Sequence, residues 1–207
     1  RFLLKDMSLE VDGKTYTSDD VTTAIEAGNK QYSNSKNTTD SALSETDMDT
    51  IIAYARGKNI RIIPLINTPG HMNAILSAAK SLTRTTCAYN RSGTTIDVTN
   101  TTAAAFTQAL LKKYVSYFAG KGCEYFNMGA DEYANDIYTS GSMGFGQLQS
   151  SGQYRDYVTY VNQVAKLIDD AGMTPMAFND GIYYKSNEWR WWQIRSCSCL
   201  FPCEQGA

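Results

Sequence analysis

Polar side chains that could take part in catalysis follow three short apolar runs of this sequence. Asp131 and Glu132 come directly after the run that ends in Gly129-Ala130. His71, which is the only histidine of the chain, and Asp180 each follow another such run. Carboxylates and imidazole are side chains that transfer protons in general acid–base catalysis. If the three runs are parallel strands, their polar exits meet at one edge of the sheet, where such folds bind ligands.

The apolar runs themselves predict the strands of an α/β fold. They lie at 60–66, 124–129 and 174–179. Short continuous apolar runs are typical of strands that are buried on both faces of a parallel sheet. Pro64 lacks the N–H that pairs strands, so we expect an irregularity at the C-terminal end of the first run. A further extended segment, 2–11, is closed by a turn at Asp12-Gly13.

Apolar side chains recur at helical spacing between these strands. The predicted helices are 18–31, 44–57, 72–79, 103–120 and 154–168. Ser18 is a candidate N-cap, and Ser44 with Asp47 resembles a capping box. The Gly/Ser-rich segment 135–152 is predicted to be a loop that faces the site. Helices between successive strands imply parallel strands, and a full barrel of eight βα units needs ~250 residues, so we expect half a barrel or a small doubly wound sheet.

Composition and charge exclude several classes of protein. The 207 residues are 43% apolar and 19% charged, which is enough for a folded core. The net charge is −2 without a basic stripe, so we expect no nucleic-acid partner. No apolar run reaches the roughly 18 residues of a membrane span, so we expect no membrane insertion. The N-terminus has neither an initiator methionine nor the layout of a signal peptide, and we expect the chain to begin within a longer protein.

The adjacency of Asp131 and Glu132 limits what the pair can do. Neighbouring side chains of an extended segment point in opposite directions, so we expect that the two carboxylates do not face each other. Ordinary retaining glycosidases need carboxyl groups about 5 Å apart across the cleaved bond, and inverting enzymes need a wider separation. Adjacent carboxylates can instead divide the work: one orients a nucleophile within the substrate, and the other protonates the leaving oxygen. Substrate-assisted glycoside hydrolysis requires that division.

Four motifs carry a resemblance to a known family. The sequences IPLINTPGH at 63–71 and FNMGADE at 126–132 together resemble glycoside hydrolase family 20, the β-N-acetylhexosaminidases. The sequences DEYAND at 131–136 and MAFNDGIYY at 176–184 are similar to the surface exo-β-N-acetylglucosaminidases of streptococci and related Gram-positive bacteria. The resemblance spans 2–184, and the order and spacing of the motifs make it specific.

The resemblance implies a fold and its extent. Residues 1–185 would form part of a (β/α)8 TIM barrel, roughly its second to fifth βα units. Residues 186–207 have neither helical nor strand period, and we hypothesise that this irregular tail is foreign to the family. The family's sugar-binding arginine would lie upstream of Arg1, and most of its acetamido pocket would follow Tyr184. We therefore expect the isolated chain to be weakly active or inactive.

The resemblance also implies roles for the three central residues. Glu132 would be the general acid that protonates the glycosidic oxygen and then the base that activates water. Asp131 would orient the 2-acetamido group of the substrate and stabilise the oxazolinium that forms when the acetamide oxygen attacks the anomeric carbon. His71 would support the carboxylates, or contact the sugar, by hydrogen bonding. The mechanism implied in this way uses no metal and no cofactor.

Further residues are implied to bind the substrate: Asn179, Asp180, Tyr133 and Tyr184. The partners would be glycans that end in N-acetylhexosamine, and the parent protein, meaning the natural polypeptide that contains this chain, would have several domains and be secreted or anchored to the cell wall. The chain departs from many family members at three positions, since Asn67 stands in place of Asp, Asn127 in place of His and Ala130 in place of Gly.

Two other interpretations stay open. The chain could be a non-catalytic carbohydrate-binding module or a degenerate barrel fragment, which the absent arginine and aromatic wall favour and the intact acid pair opposes. A metal-dependent hydrolase would use His71, Asp131 and Asp180 as ligands, but one histidine with two carboxylates is a thin ligand set. Cys197, Cys199 and Cys203 lack the fourth ligand that a structural zinc site needs.

Overall fold

The computed structural model describes residues 2–32, 42–139 and 142–179. Its elements in chain order are β1 (Leu9–Val11), β2 (Lys14–Tyr16), α1 (Ser18–Tyr32), α2 (Glu45–Gly57), β3 (Leu65–Thr68), α3 (Asn73–Thr83), α4 (Thr101–Gly120), β4 (Tyr125–Gly129), β5 (Tyr138–Thr139), β6 (Ser142–Met143), α5 (Phe145–Ser150), α6 (Tyr154–Asp170) and β7 (Thr174–Met176). A 3-10 turn covers Tyr89–Arg91. The predicted site residues Asp180 and Tyr184, and the segment 186–207, lie outside the described residues.

Three parallel strands form the central sheet. β4 pairs with β3 on one side and with β7 on the other, so its order is β3-β4-β7. The helices α3 and α4 connect β3 to β4, and α5 and α6 connect β4 to β7. The prediction of parallel strands with helical crossovers is therefore confirmed. All three strands run the same way, so their C-terminal ends share one edge of the sheet.

The first strand of this sheet begins later than predicted. β3 starts at Leu65, directly after Pro64, so the prediction of a strand over 60–66 is wrong at its start. Pro64 cannot donate a ladder hydrogen bond, and only its carbonyl takes part, accepting from the N–H of Asn127 at 2.9 Å. The register then shifts between Leu65 and Thr68, which is the irregularity that the proline led us to expect.

The N-terminal segment forms a hairpin apart from the central sheet. β1 and β2 pair antiparallel, and the two residues between them, Asp12 and Gly13, both have positive φ, of 51° and 75°. This backbone suits the right-handed twist of a two-residue hairpin. The turn is where the sequence predicted it, but the strand before it is not part of the parallel sheet.

The two predicted helix starts differ in their outcome. Ser44 and Asp47 form the predicted capping box of α2. At α1 the reciprocal bonds join Thr17 and Asp20 instead, because the Ser18 hydroxyl accepts a hydrogen bond from the N–H of Met7 at 3.0 Å. Thr17, not Ser18, therefore caps α1.

The core lies between the sheet and the two long helices α4 and α6. The wholly buried side chains include those of Phe106, Leu110, Phe126, Met128, Tyr157, Val161 and Ile168. The apolar faces predicted for α4 and α6 point into this core, which places β4 at the centre of the described fold. No helix among the described residues is both long and apolar enough to span a bilayer.

The segment 135–152 is more ordered than the predicted loop. It contains the short hairpin of β5 and β6, followed by α5. Phe145 and Leu148 of α5 are buried, and the ring of Phe145 packs against Tyr133 at 6.4 Å and Tyr157 at 5.2 Å between centroids. The Gly and Ser content predicts a loop, but these two apolar side chains and the buried Gln147, whose amide donates to the carbonyl of Ile137 at 3.0 Å, anchor a short helix.

Candidate active site

The imidazole of His71 lies next to both carboxylates of the acid pair. Its Nε2 atom is 3.4 Å from Oδ2 of Asp131 and 3.3 Å from Oε2 of Glu132. The Asp131 side chain is 22% exposed and that of Glu132 is 54% exposed, so one carboxylate is sheltered and the other faces solvent. When Nε2 carries a proton, it can donate to either carboxylate. The predicted meeting of these three residues at one edge of the sheet is confirmed.

Both carboxylates reach the same imidazole because the backbone here is not extended. Ala130 and Glu132 have positive φ angles of 63° and 46°. The prediction that Asp131 and Glu132 point in opposite directions is therefore wrong, since alternation holds only for extended segments. Left-handed backbone at residues other than glycine is uncommon and is found most at functional sites. The two carboxylates stand side by side, where one substrate can contact both.

Gly129 leaves room for the side chains on either side of it. Its φ is +74°, and a Cβ atom at this position would overlap with Oδ1 of Asn67 and lie 3.1 Å from Oδ1 of Asp131. Both oxygens are buried, and neither has a hydrogen-bond partner among the described residues. The side chain of Asn127 accepts a hydrogen bond from the Gly129 N–H at 2.8 Å and holds this turn of the backbone.

The segment that carries His71 touches the segment that carries the acid pair, backbone against backbone. A Cβ atom at Gly70 would lie 2.9 Å from the carbonyl oxygen of Asp131. His71 itself has a φ of +51°, which turns the chain before α3 begins. The peptide bond between Thr68 and Pro69 is cis. Close contact between these segments is what brings the imidazole within reach of the carboxylates.

Tyr133 is a core residue and does not line the site, which corrects the prediction that it binds the sugar. Its side chain is wholly buried, and its hydroxyl donates to the carbonyl of Ile96 at 3.1 Å. The ring packs against Tyr89 at 5.2 Å and Tyr157 at 5.5 Å between centroids. Burial raises the pKa of the Tyr133 hydroxyl far above its ordinary value. The ring therefore supports the acid segment from beneath.

Asn179 lies at the same edge of the sheet as the acid pair. The N–H of Phe178 donates to the carbonyl of Gly129 at 2.7 Å, which continues the pairing of the β7 segment with β4. Asn179 follows and is exposed. This position is compatible with the predicted contact between Asn179 and a sugar.

A segment that sequence reasoning did not single out borders both halves of the site. The sequence patterns assign no helix or strand to residues 92–96, yet Ser92 is 2% exposed and Thr95 is wholly buried. The carbonyl of Thr94 accepts a hydrogen bond from the backbone N–H of Met72, the residue after His71. The hydroxyl of Thr95 accepts a hydrogen bond from the backbone N–H of Ala134. Serines and threonines in a connection predict a surface loop, so nothing in the sequence pattern identifies this segment.

Metal ligands do not gather in the described part of the chain. Across 2–32, 42–139 and 142–179 no group of three His, Cys, Asp or Glu side chains is arranged to hold a metal ion. Of the ligands in the metal-dependent interpretation, Asp180 lies outside these residues, as do the three clustered cysteines. Cys87 and Cys123 are free thiols, and burial raises the pKa of Cys123.

Comparison with known proteins identifies the family. The profile described as glycosyl hydrolase family 20, catalytic domain, matches residues 10–195. Lacto-N-biosidase of Bifidobacterium bifidum is 28% identical over 147 residues, which are 68% of this chain and 13% of that protein. A solved structure of the pneumococcal virulence factor StrH is 43% identical with a TM-score of 0.81, over 89% of this chain and 44% of that one. Dispersin B, at 24% identity and a TM-score of 0.54 over 68% of this chain and 38% of that one, shares the fold.

The chain thus spans less than half the length of the StrH chain and a small part of lacto-N-biosidase. The match to the profile begins within β1, runs past β7 and ends within the segment 186–207. The neighbours have a barrel of the TIM type, and the three parallel strands here form part of such an α/β fold. Since the profile matches most of its length, the chain belongs to glycosyl hydrolase family 20 and carries part of that family's catalytic domain.

Proposed function

We propose that the parent protein hydrolyses terminal, non-reducing β-linked N-acetylhexosamine residues of glycans. One observation carries the proposal: His71, Asp131 and Glu132 meet with Nε2 within 3.4 Å of both carboxylates. The likeness to StrH supports it, since that protein is described as a pneumococcal exo-β-D-N-acetylglucosaminidase at 43% identity. The barrel units represented here would be roughly the second to fifth.

In this proposal the substrate supplies its own nucleophile. The carboxylate of Asp131 accepts a hydrogen bond from the N–H of the 2-acetamido group. This bond turns the acetamide oxygen toward the anomeric carbon. That oxygen forms a bond to the anomeric carbon while the glycosidic bond breaks, and Glu132 gives its proton to the leaving oxygen. The positive charge of the resulting oxazolinium lies beside the Asp131 carboxylate. Water, deprotonated by Glu132, then attacks the anomeric carbon, opens the ring and returns the original configuration.

The exposures of the two carboxylates suit this division of roles. Glu132 must exchange protons with a leaving group and then with water, and its side chain is the more exposed of the two. Asp131 acts only on the bound acetamido group and need not reach water, and its side chain is the more sheltered of the two. His71 can donate to either carboxylate. We also propose that Asn179 and Asp180 contact the sugar, that Tyr184 lines the site, and that the protein is secreted or anchored to the cell wall.

The decisive experiment measures hydrolysis of a chromogenic N-acetylglucosaminide by the parent protein. Glu132→Gln removes the acid while keeping the size of the side chain, so we expect kcat/KM to fall by about 10²- to 10⁴-fold. The matched control is Glu124→Gln directly before β4, where the carboxylate is 63% exposed and 3.7 Å from Arg61. This control should keep wild-type activity, because an exposed ion pair contributes little.

Two results would contradict the proposal. If Glu132→Gln kept the wild-type rate, Glu132 would not be the acid. If the wild-type parent bound N-acetylglucosamine without hydrolysing any N-acetylhexosaminide, the alternative of a non-catalytic carbohydrate-binding module would replace it.

A further inference from the structure

The segment 92–96 is hydrogen-bonded to both halves of the candidate site. On one side it bonds to the turn that carries His71. The N–H of Met72 donates to the carbonyl of Thr94 at 2.7 Å, and the N–H of Ile96 donates to the carbonyl of Pro69 at 3.0 Å. These two bonds fix the chain on both sides of His71, so the position of the imidazole depends on the position of this segment.

On its other side the segment bonds to the chain just after the acid pair. The N–H of Ala134 donates to the hydroxyl of Thr95 at 3.0 Å, and the hydroxyl of Tyr133 donates to the carbonyl of Ile96 at 3.1 Å. Thr95, Ile96, Tyr133 and Ala134 are all wholly buried. Buried hydrogen bonds of this kind are costly to break, since water cannot replace the lost partner.

Asp136 closes the connection between the two segments. One of its carboxylate oxygens accepts from the hydroxyl of Ser92 at 2.7 Å, and the other accepts from the N–H of Gly93 at 2.7 Å. The oxygen of the Ser92 hydroxyl in turn accepts from the N–H groups of Thr94 at 3.0 Å and Thr95 at 2.9 Å. Bonds to an ionised carboxylate are stronger than neutral ones, so Asp136 holds the start of the segment in one conformation.

The ionised state of Asp136 is consistent with these contacts. Burial alone would raise the pKa of Asp136, but the hydrogen bonds from Ser92 and Gly93 outweigh it and hold the pKa below its ordinary value. Asp136 is exposed as a residue, unlike the segment that it holds. It is therefore open to substitution without a cavity in the core.

We propose that Asp136 is a positioning residue, whose carboxylate fixes the segment 92–96 and thereby keeps His71 beside Asp131 and Glu132. Asp136 does not touch the reacting atoms in this inference; it acts through Ser92, the segment and Met72. The activity part of the test rests on the proposed function, whereas the structural part does not.

The test compares Asp136→Ala with Asp47→Ala in the parent protein. Asp47 is a matched control because its carboxylate also accepts from a serine hydroxyl and a backbone N–H, those of Ser44 at 2.6 and 2.8 Å, at the start of α2. Both substitutions remove an ionised carboxylate with two hydrogen bonds. Only Asp136→Ala should change the positions of the active-site residues. We expect its kcat to fall by about 10- to 100-fold, as for a displacement of catalytic groups by about 1 Å, with KM within about 3-fold of wild type.

Hydrogen exchange measured by mass spectrometry supplies the readout that does not depend on activity. Asp136→Ala should speed exchange in peptides that cover 69–72, 92–96 and 130–136, whereas Asp47→Ala should speed it only near the start of α2. Asp136→Asn keeps one acceptor oxygen, so it should restore part of kcat and part of the protection. It also serves as the test variant if Asp136→Ala does not fold.

The outcomes separate this inference from the proposed function. If the parent protein hydrolysed no N-acetylhexosaminide but Asp136→Ala still sped exchange at 69–72, the positioning role of Asp136 would be supported. Only the proposed function would then be overturned. If the parent protein is active, and Asp136→Ala and Asp136→Asn keep the wild-type kcat with exchange changed only at 134–137, the positioning role of Asp136 would be overturned. Equal losses of kcat in the Asp136 and Asp47 variants would also overturn it, because the effect would then be one of general stability.

Discussion

At the scale of single residues, the site depends on the absence of a side chain at Gly129. The residue has a left-handed backbone, and the space that a Cβ would occupy is taken by oxygens of Asn67 and Asp131. A substitution that adds a Cβ at Gly129 would therefore have two separate free-energy costs. One is the strain of an L-residue at positive φ, and the other is the displacement of Asp131 from its place beside His71.

Gly129→Ala should show both costs, and Gly172→Ala should show only the first. Gly172 has a similar φ of +78°, but nothing lies within 4 Å of the Cβ that would be added. We expect Gly172→Ala to lower the free energy of unfolding by about 1–2 kcal/mol and to leave kcat unchanged. Gly129→Ala should cost a further 1–3 kcal/mol or so and lower kcat as well. Urea denaturation and the chromogenic assay measure the two quantities, and equal kcat values for both variants would contradict this account.

The sequence predicted the chemistry of the site better than its geometry. His71, Asp131 and Glu132 were identified because each follows an apolar run, and parallel strands bring such exits together. The direction of the carboxylates was not predictable, since Ala130 and Glu132 adopt positive φ without being glycine. Tyr133 was misassigned for a related reason: a tyrosine next to the acid pair is equally consistent with a sugar wall and with a core, and only the fold decides.

At the scale of elements, α6 and β3 are joined by a buried hydrogen bond. The hydroxyls of Thr68 and Tyr160 lie 2.6 Å apart, at 1% and 2% exposure. Thr68 is the last residue of β3, directly before the segment that carries His71. The bond therefore links the end of this strand to a helix that follows the acid pair in the chain.

Tyr160→Phe should destabilise the fold by about 1–3 kcal/mol, because it leaves the Thr68 hydroxyl buried without this partner. Adding Thr68→Val removes that orphaned hydroxyl, so the double variant should be less destabilised than the sum of the two single variants. Tyr138→Phe is the control, since Tyr138 is 74% exposed and its change should stay within about 0.5 kcal/mol. Strict additivity in urea denaturation would show that the two hydroxyls do not interact.

Helical periodicity located the five long helices, because their apolar faces repeat over several turns. Periodicity places Tyr160 within a helix but does not show that its hydroxyl bonds to Thr68 of β3, more than ninety residues away in the chain. Local patterns also missed the late start of β3, which Pro64 delays, and the helix α5, whose buried side chains are those of Phe145, Gln147 and Leu148. The partner of Tyr160 and the anchoring of α5 depend on contacts with other parts of the fold, whereas the late start of β3 follows from Pro64 itself.

At the scale of the whole molecule, the sheet presents apolar side chains beside β3, one of its two outer strands. Leu65, Ile63 and Ile60 are 45%, 44% and 58% exposed. A groove of about 450 Å³, lined mostly by apolar side chains that include Ile62, Ile66 and Ile75, runs along the same side. An outer strand with apolar side chains is prone to pair with another chain.

The isolated chain should therefore associate with itself and hydrolyse N-acetylglucosaminides far more slowly than the parent protein. Sedimentation velocity at several concentrations measures the association, and kcat/KM per mole of each protein measures the activity. Ile63→Lys places a charge beside the outer strand and should reduce association of the isolated chain without restoring activity. A monomeric wild-type chain with the kcat/KM of the parent would show that the described elements already form a complete site.

The bonds of the segment 92–96 bear on any attempt to move this site to another scaffold. A graft that copies only the strand exits would carry His71 and the two carboxylates. It would lack the segment 92–96, whose hydrogen bonds hold the two parts of the site together. The transplantable unit has three pieces: 67–72, 92–96 and 127–136. The exposed residues just after α3, Arg84 to Thr86, are where a host protein could vary the length of the connection. The number of residues between Ser92 and Ile96 must be kept, because the hydrogen bonds of this segment hold the site together.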